Sequence, residues 1–355
     1  MLKHCEGALE MIDLFNLDLG IKGVGPENDT EVRSMEAKNY VGWGIMGLGN
    51  IAEDFVRSME KIHPIQAVAS RNGDRARKFK EKYHVVRAYE GYDDFLCDPK
   101  IDIVYVATVN SAHYRNIRSC LMHGKNVLCE KAILSNTAEL KELEVLAKER
   151  NLFFFEAMTI YHMPIMKKIK GLIADGHLGE IKMIRADFGS LQVADPNNRF
   201  FSKELGGGAM LDIGTYALSF IRYFMEGDLE EMACTTSPYS TGVDEMWSIS
   251  MKSSKEVLAS ACLTFRAKLP KVAIISGDKG YVLIPNYPRA EIATIYYPDG
   301  TSYKLSEGST SDAMKYEIED VEGCFRSGDH GGGHYEETRD VVEWMERLLG
   351  ENGYL

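Results

Sequence analysis

Short apolar runs alternate with longer amphipathic segments along residues 40–157. This alternation is typical of parallel strands whose two faces are covered by helices. Within one predicted helix, Leu140, Leu143 and Leu146 recur at helical spacing. The pattern predicts a doubly wound α/β domain of the Rossmann type. The predicted strands are residues 40–46, 65–70, 85–88, 101–107, 126–130 and 152–156, and the predicted helices include 50–61, 111–123 and 137–150.

The pattern of apolar and polar residues changes after residue 157, where longer stretches of alternating apolar and polar residues are joined by turn residues. This favours an open, mostly antiparallel sheet. We therefore expect residues 158–355 to form a second, α+β domain for substrate binding and dimerisation, ended by a helix at about 335–349. The alternating stretches are residues 180–187, 247–251, 257–265 and both sides of 277–280, with a hairpin turn at 298–300.

Residues 1–39 form an N-terminal extension in this interpretation. Glu6, Glu10 and Asp13 interrupt its apolar residues, which argues against a secretory signal. Residues 8–19 could form a short amphipathic helix that docks on the body of the protein or on a second subunit.

The composition narrows the class of partner. Lys and Arg number 41 against 53 Asp and Glu, which gives a net charge of -12. Such a chain repels nucleic acid and anionic membranes, and no apolar run approaches the roughly 18 residues of a membrane span. The seven cysteines are widely spaced, odd in number and form no C-x-x-C pair. This argues against a disulfide framework or a metal site and favours a cytoplasmic location.

A glycine turn lies between the first predicted strand and the first predicted helix. Gly47 permits a tight turn, Gly49 lets the backbone approach a pyrophosphate, and the small Ala52 lets helix pack on strand. The amides of Asn50 and Ile51 would then face the phosphates at the helix start. The alternative is a plain strand-to-helix turn, but the strand and helix context favours dinucleotide binding.

The end of the second predicted strand bears on the choice of dinucleotide. An acidic residue about 20 positions after the glycine turn usually holds the ribose hydroxyls of NAD. Here Ser70 and Arg71 end the strand, and Arg75 follows one helical turn later. A hydroxyl and a guanidinium suit a ribose 2′-phosphate, so the sequence favours NADP over NAD. Alternatively, Arg71 stacks on adenine or is solvated.

The chemistry-bearing residues lie at two separate places. Glu130 and Lys131 end the fifth predicted strand, at the sheet edge where ligands bind; the alternative is a solvated surface pair. We expect neighbours to depress the pKa of Lys131. Asp212 and Tyr216 are four residues apart, so on a helix both project from one face. The alternative is a core tyrosine with Asp212 as a helix cap.

Four motifs, taken in order, resemble those of the glucose-fructose oxidoreductase and inositol dehydrogenase (Gfo/Idh/MocA) family over about residues 40–350. They are the glycine turn, residues 107–113, the Glu130-Lys131 pair and residues 206–216. The stretch from Asn198 to Phe201, followed by three glycines, is similar to the subgroup of dimeric dihydrodiol dehydrogenases and xylose dehydrogenases.

The resemblance implies an NAD(P)-dependent oxidoreductase that moves hydride between nicotinamide and a hydroxyl or carbonyl carbon of a sugar, cyclitol or dihydrodiol. It implies that Tyr216 is the general acid or base, that Lys131 lowers the pKa of this tyrosine, and that Asp212 positions the substrate. It further implies cofactor contacts by Thr108, Asn110, His113, Glu130 and Lys131, and substrate contacts by Tyr161, His162, Arg199 and Asp212.

The chain departs from the family pattern at Val109 and Ala132, where prolines are usual, and at Tyr161, where an arginine is common. The substrate pocket is therefore not expected to be identical. The resemblance also implies a homodimer or higher homo-oligomer formed through the broad second sheet. Two other functions stay open: a regulatory protein that senses dinucleotide or sugar without turnover, and an enzyme that keeps its cofactor permanently bound.

Overall fold

Alternating strands and helices build a six-stranded parallel sheet in the first half of the chain. The computed structural model describes residues 40–355, so the extension 1–39 and its predicted helix lie outside the described part. The strands are β1 Trp43–Met46, β2 Ala67–Ser70, β3 Arg87–Glu90, β4 Ile103–Val106, β5 Asn126–Glu130 and β6 Phe154–Ala157. The helices are α1 Asn50–Met59, α2 Gly73–Tyr83, α3 Asp93–Leu96, α4 His113–Met122 and α5 Thr137–Glu149.

The strand order is β3-β2-β1-β4-β5-β6, and every neighbouring pair is parallel. The order reverses between β1 and β4, which opens a crevice at the carboxyl ends of these strands. The predicted Rossmann-type sheet is thus confirmed: β5 has the predicted bounds, β3 is shifted by two residues, and the other strands are shorter than the apolar runs. Helix α1 forms because Ala52, Phe55, Val56 and Met59 line one face and are buried against the sheet.

The second half of the chain carries an eight-stranded sheet. Its order is β14-β13-β12-β11-β7-β10-β9-β8, and all pairs are antiparallel except β7 with β10. The predicted open, mostly antiparallel sheet is confirmed. The strands are β7 Ile181–Gly189, β8 Leu229–Pro238, β9 Asp244–Ser253, β10 Leu258–Thr264, β11 Val272–Gly277, β12 Tyr281–Pro285, β13 Ile292–Tyr296 and β14 Ser302–Ser306.

This half is more helical than the sequence interpretation anticipated. The final helix is present and slightly longer than expected, but α6 and α8 were not predicted. The helix α7 packs on β7 and on α9, and it covers one face of the second sheet. The helices are α6 Pro164–Ala174, α7 Thr215–Phe224, α8 Ala313–Ser327 and α9 Tyr335–Glu351.

Helix α8 is bonded to β1 and to the segment after α1. Its buried Glu322 accepts a hydrogen bond from Trp43 Nε1 of β1 at 2.9 Å, and His63 Nε2 lies 2.6 Å from the same carboxylate oxygen. Arg326 pairs with the other oxygen at 2.6 Å. Residues Gly42–Leu355 pack as one compact unit. The division into domains 40–157 and 158–355 stays a prediction.

Two sequence-based expectations about the environment can be compared with the described residues. Among residues 40–355, no helix is both long enough and apolar enough to cross a membrane. The six cysteines of this part of the chain are free thiols.

Candidate active site

The two glycines of the turn after β1 occupy different environments. Gly47 has a φ of +94°, and a Cβ there would lie 2.7 Å from the carbonyl oxygen of Ala107. Gly49 caps α1 with an ordinary φ of -83°, and a Cβ there would have nothing within 4 Å. The first amides of α1, those of Asn50 and Ile51, have no intrahelical acceptor at this position. The turn therefore offers open space and backbone donors that fit a pyrophosphate.

The end of β2 is bonded to the same turn. Ser70 Oγ accepts from the amide of Asn72, and the side chain of Asn72 caps α2 by accepting from the amide of Arg75. The Arg75 guanidinium donates to the carbonyl oxygen of Leu48 at 2.5 Å, while Arg71 is exposed. The structure thus brings Ser70, Arg71 and Arg75 together beside the glycine turn. The helix cap at Asn72 was not singled out from the sequence.

His113 lies under the carboxyl ends of β4 and β5 and is fully buried. Its Nε2 is 3.1 Å from the carbonyl oxygen of Thr108, and its Nδ1 is 3.0 Å from that of Ala132. Burial lowers the pKa of His113, so the neutral ring is favoured. These contacts favour a structural role in which the ring joins the two loops, and a cofactor contact by His113 stays a prediction.

Thr108 and Asn110 lie on the loop that follows β4. Thr108 Oγ1 accepts from Asn116 of α4 at 2.9 Å. Asn110 begins a short 3-10 turn, and its Cβ would lie 3.1 Å from a Cβ built at Gly206. The loop after β4 and the glycine segment before α7 are therefore in direct contact. This places Asn110 between the predicted cofactor side and the predicted substrate side.

Glu130 faces inward from the end of β5. Its carboxylate accepts a short hydrogen bond from the hydroxyl of Tyr105, whose ring stacks on Phe55 at 3.9 Å. Burial raises the pKa of Glu130, although the Tyr105 hydrogen bond and the charge of Lys131 act in the opposite direction. The sequence did not indicate a role for Tyr105. It lies within an apolar run and reads as a core residue, and its polar partner Glu130 is 25 residues away.

Lys131 brings the predicted catalytic residues together. Its Nζ donates to the backbone oxygen of Asp212 at 2.6 Å and to Oδ1 at 3.1 Å. The same Nζ lies 4.7 Å from the ring centroid of Tyr216. Burial by itself lowers the pKa of Lys131, but the charges of Tyr216, Asp212 and Glu130 outweigh it and raise that pKa. The expected depression of the Lys131 pKa is therefore wrong, because the acidic groups of Tyr216, Asp212 and Glu130 surround the ammonium group.

For Tyr216, burial has a larger effect on the pKa than the neighbouring charges have. Burial raises the pKa of Tyr216, and the positive charge of Lys131 lowers it only in part. Lys131 thus acts on the tyrosine in the expected direction without bringing its pKa below the ordinary value. At neutral pH the pair consists of a protonated phenol and an ammonium group. This pair can give a proton to a substrate oxygen, or take one back while the ammonium group stabilises the phenolate.

Asp212 and Tyr216 share one helical segment with an irregular first turn. Asp212 lies in a π-turn over Met210–Gly214, and Tyr216 lies in the first turn of α7. The buried Asp244 holds the start of this segment by accepting from the Met210 amide at 2.6 Å and from Trp247 Nε1 at 2.6 Å. Sequence reasoning missed Asp244, because nothing in its local sequence marks a helix cap supplied by a distant strand.

Arg199 is the predicted substrate residue that reaches the cluster. Its Nη2 lies 3.8 Å from Asp212 Oδ1, and its guanidinium stacks over the ring of Phe200 at 4.1 Å. The Arg199 side chain is 66% exposed, so it borders the site from the solvent side. Arg199 therefore lies where it can contact a substrate held by Asp212.

Tyr161 and His162 are placed differently from the expectation. Both are buried in a 3-10 turn after β6. The ring of Tyr161 stacks on His334 at 4.8 Å, and His162 Nδ1 lies 2.8 Å from the carboxylate of Asp320 on α8. These contacts favour a structural role for both residues, and their predicted substrate contacts stay predictions.

Residues of the second sheet complete the site and were not predicted. Phe188 of β7 lies 5.8 Å from Tyr216 between ring centroids, and Lys271 Nζ lies 4.6 Å from the Phe188 ring. Arg289 is near enough for its charge to act on the pKa values of Glu130 and Tyr216, in both of which burial is the dominant influence. In the sequence, the cluster of Arg266, Lys268 and Lys271 is the feature that could have indicated cations near the site.

A parallel sheet with a glycine turn at its crevice, joined to an open sheet and a Lys-Asp-Tyr cluster, defines a class of dinucleotide-dependent oxidoreductases. The chain belongs to the Gfo/Idh/MocA family within this class. Residues 41–158 match the family model described as an oxidoreductase family with an NAD-binding Rossmann fold, and residues 166–283 match the GFO/IDH/MocA C-terminal domain. The protein is therefore an NAD(P)-binding oxidoreductase.

Curated relatives share this organisation along most of the chain. The trans-1,2-dihydrobenzene-1,2-diol dehydrogenase of Xenopus laevis is 34% identical over 297 residues, which is 81% of this chain and 89% of the relative. The human enzyme of the same name is 32% identical over 249 residues, which is 69% of this chain and 74% of the relative.

Solved structures show the same fold at lower identity. A 3-ketoreductase from Actinomadura kijaniata, in complex with NADP and TDP-benzene, has a TM-score of 0.78 at 23% identity and covers 87% of this chain and 96% of its own. A levoglucosan dehydrogenase in complex with NADH and levoglucosan has a TM-score of 0.77 at 18% identity, with 87% and 97% covered.

Proposed function

We propose that this oxidoreductase interconverts a hydroxyl and a carbonyl group on a sugar, cyclitol or dihydrodiol, with Lys131, Asp212 and Tyr216 as its catalytic set. The observation that carries the proposal is the position of Lys131 Nζ, which contacts Asp212 and the Tyr216 ring at once. The curated relatives are named as dehydrogenases of a cyclic diol, which supports a substrate of this class.

The nicotinamide cofactor supplies a carbon that accepts or gives a hydride. Gly49 and the amides of Asn50 and Ile51 would hold its pyrophosphate. Ser70 and Arg71 lie where a 2′-phosphate would be bound, and Arg75 has guanidinium hydrogens beyond the one it gives to Leu48. We therefore propose a preference for NADP, which the ratio of dissociation constants for NADP and NAD measures.

Each residue of the set has a separate task in this proposal. The Tyr216 hydroxyl gives a proton to the carbonyl oxygen during reduction and takes it from the hydroxyl during oxidation. Lys131 keeps its positive charge next to the tyrosine and stabilises the phenolate form. Asp212 holds Lys131 by a 3.1 Å hydrogen bond and orients the substrate hydroxyl. Arg199 borders the same carboxylate from the solvent side.

We expect Lys131→Met and Tyr216→Phe each to lower kcat by about 100-fold to 10,000-fold, because each removes part of the proton transfer. The dissociation constant for the cofactor should change far less than kcat, since the glycine turn is untouched. The measurement is the absorbance of the reduced nicotinamide in a screen of sugars, cyclitols and dihydrodiols, with calorimetry for cofactor binding. Tyr303→Phe, on an exposed strand, serves as the control.

Two results would contradict the proposal. Full activity in both variants would remove Lys131 and Tyr216 from the catalytic set. Tight cofactor binding without oxidation or reduction of any compound in the screen would favour the sensing function instead.

We also propose a homodimer formed through the uncovered face of the second sheet. Ile274 of β11 lies directly opposite Leu283 of β12 on this face, and the rings of Tyr281 and Tyr296 stack at 4.9 Å. Met183 of β7 is 54% exposed there. An uncovered apolar sheet face of this kind marks an association surface. A cytoplasmic location, supported by the free cysteines, is likewise a proposal.

A further inference from the structure

Cations flank the aromatic pair formed by Tyr216 and Phe188. On the side of the parallel sheet, Lys131 Nζ lies 4.7 Å from the Tyr216 ring centroid. On the side of the second sheet, Lys271 Nζ lies 4.6 Å from the Phe188 ring centroid. The two rings are 5.8 Å apart. Lys271 is therefore a second ammonium group at this aromatic pair, in contact with the ring of Phe188.

Backbone hydrogen bonds hold the turn that carries Arg289 next to Lys271. It ends a 3-10 turn over Tyr287–Arg289, and the preceding Asn286 donates its amide to the carbonyl oxygen of Lys271 at 2.6 Å. Thr310 Oγ1 donates to the carbonyl oxygen of Arg289 at 2.8 Å. The turn that carries Arg289 is thus fixed against the start of β11, next to Lys271.

Neither cation is in direct contact with a carboxylate. Among residues 40–355, no ion pair joins Lys271 or Arg289 to an acidic side chain, although the charge of Asp212 acts on the pKa of Lys271. Asp212, the carboxylate of the catalytic cluster, forms ion pairs with Lys131 at 3.1 Å and with Arg199 at 3.8 Å.

Two other acidic groups lie near Arg289. Burial raises the pKa of Glu130 and that of Glu317 on α8, and the charge of Arg289 acts in the opposite direction on both. Asp187 of β7 is buried and pairs with Arg185 at 2.7 Å. The cations Lys131, Arg199, Lys271 and Arg289 outnumber these two groups and Asp212, although the whole chain has a net charge of -12.

Lys271 is repelled by neighbouring cations. Burial lowers the pKa of Lys271, and the charges of Lys268 and Arg289 lower it further, while the charge of Asp212 acts in the opposite direction. Like charges held close together repel one another. A bound anion would remove this repulsion and could accept charge-assisted hydrogen bonds from both side chains.

We propose that Lys271 and Arg289 form an anion subsite, so that the substrate is a hydroxy compound that carries a carboxylate or a phosphate. This inference rests on the proposed function and names the substrate class of the same site. The subsite differs from the place proposed for a cofactor 2′-phosphate, which lies at the end of β2 with Ser70 and Arg71.

The test is a set of matched pairs that differ in one anionic group, measured by calorimetry on the cofactor-saturated enzyme. The pairs are D-glucose with D-glucuronate, D-glucose with D-glucose 6-phosphate, and 1,2-cyclohexanediol with 3,4-dihydroxycyclohexanecarboxylate. We expect the anionic member of at least one pair to bind at least about tenfold more tightly at low ionic strength, and this preference to weaken as salt is added. The carboxylate and phosphate pairs show which anion the subsite takes.

The variants Lys271→Met and Arg289→Gln should each reduce the preference for the anion at least about tenfold, because each removes one of the two charges. The preference is a ratio, so a general loss of binding cancels. Methionine keeps an apolar chain over Phe188, and thermal unfolding checks that both variants fold. Lys304→Gln, an exposed lysine on β14, should leave the ratio unchanged.

Absence of any preference in all pairs, including a set in which nothing binds, would overturn the inference. An equal preference in Lys271→Met and Arg289→Gln would also overturn it. The proposed function fails separately: anions that bind tightly without turnover would keep the subsite and reject the oxidoreductase chemistry. Turnover of neutral compounds without an anion preference would support the oxidoreductase chemistry and reject the anion subsite.

Discussion

Gly47 and Gly49 have different physical requirements although one residue separates them. At Gly47 the fold itself requires glycine, because φ is +94° and a Cβ would lie 2.7 Å from the Ala107 carbonyl oxygen. At Gly49 the fold tolerates a side chain, since φ is -83° and the surrounding space is open. The requirement for glycine at position 49 therefore comes from the space that a bound cofactor would occupy.

We expect Gly49→Ala to change the free energy of unfolding by less than about 1 kcal/mol and to raise the dissociation constant for NADP at least about tenfold, or about 1.4 kcal/mol. The added methyl group would occupy the space into which the pyrophosphate fits. Chemical denaturation and calorimetry measure the two quantities. Unchanged NADP affinity in Gly49→Ala would contradict a cofactor at this turn.

Gly47→Ala should instead destabilise the fold by more than the cost of the backbone conformation alone. Gly242→Ala is the matched control, because its φ is +86° and a Cβ there would have nothing within 4 Å. That control reports the strain of the positive φ, which is about 1–2 kcal/mol. Any excess at Gly47 measures the clash with Ala107.

At the scale of elements, a buried carboxylate joins β6 to its neighbours. Glu156 accepts from the amide of Ile133 after β5 at 3.0 Å and from Thr338 Oγ1 of α9 at 3.3 Å. Burial raises the pKa of Glu156 from 4.5 to about 7. The folded protein therefore holds a proton on Glu156 that the unfolded chain has released between these pH values. Stability is lost as pH rises through this window and levels off above it.

Glu156→Gln keeps the hydrogen-bonding shape but cannot ionise. We expect its free energy of unfolding, relative to the natural protein, to rise between pH 5 and pH 8 by on the order of 3 kcal/mol. Urea denaturation at several pH values measures the difference. Glu149→Gln, on the exposed end of α5, serves as the control variant. A difference for Glu156→Gln that is the same at pH 5 and pH 8 would show that the carboxyl group does not titrate in this window.

The sequence predicted these elements unevenly. The six strands of residues 40–157 and the helices α1, α4 and α5 were found because their periodicity is local. Helix α8 was not predicted, and the parallel pairing of β7 with β10 could not be, since alternation along a strand does not record its direction. Tyr161 and His162 looked like substrate residues, yet their burial depends on α8 and on His334, far along the chain.

At the scale of the whole molecule, the uncovered face of the second sheet determines the expected assembly. We expect the double variant Met183→Glu, Tyr281→Glu to be monomeric at concentrations where the natural protein is dimeric, because two buried charges would oppose sheet-to-sheet packing. Both side chains are exposed in the single chain, so folding should be retained. Analytical ultracentrifugation measures the mass.

Val145→Glu provides the control for this prediction, since Val145 is 57% exposed on α5, away from the second sheet. It should leave the dimer intact. A dimer that survives the double variant would place the interface elsewhere, and a natural protein that is monomeric at every concentration would reject the homodimer.

The sequence by itself determined the Rossmann-type sheet, the open second sheet and the glycine turn, because each is encoded by spacing within a few residues. Only the tertiary structure decided which side chains meet. It joined Lys131 to Asp212 across 81 positions, raised rather than lowered the Lys131 pKa, and brought Lys271 to the same site. Burial and charge depend on all neighbours in space, and those neighbours come from distant parts of the chain.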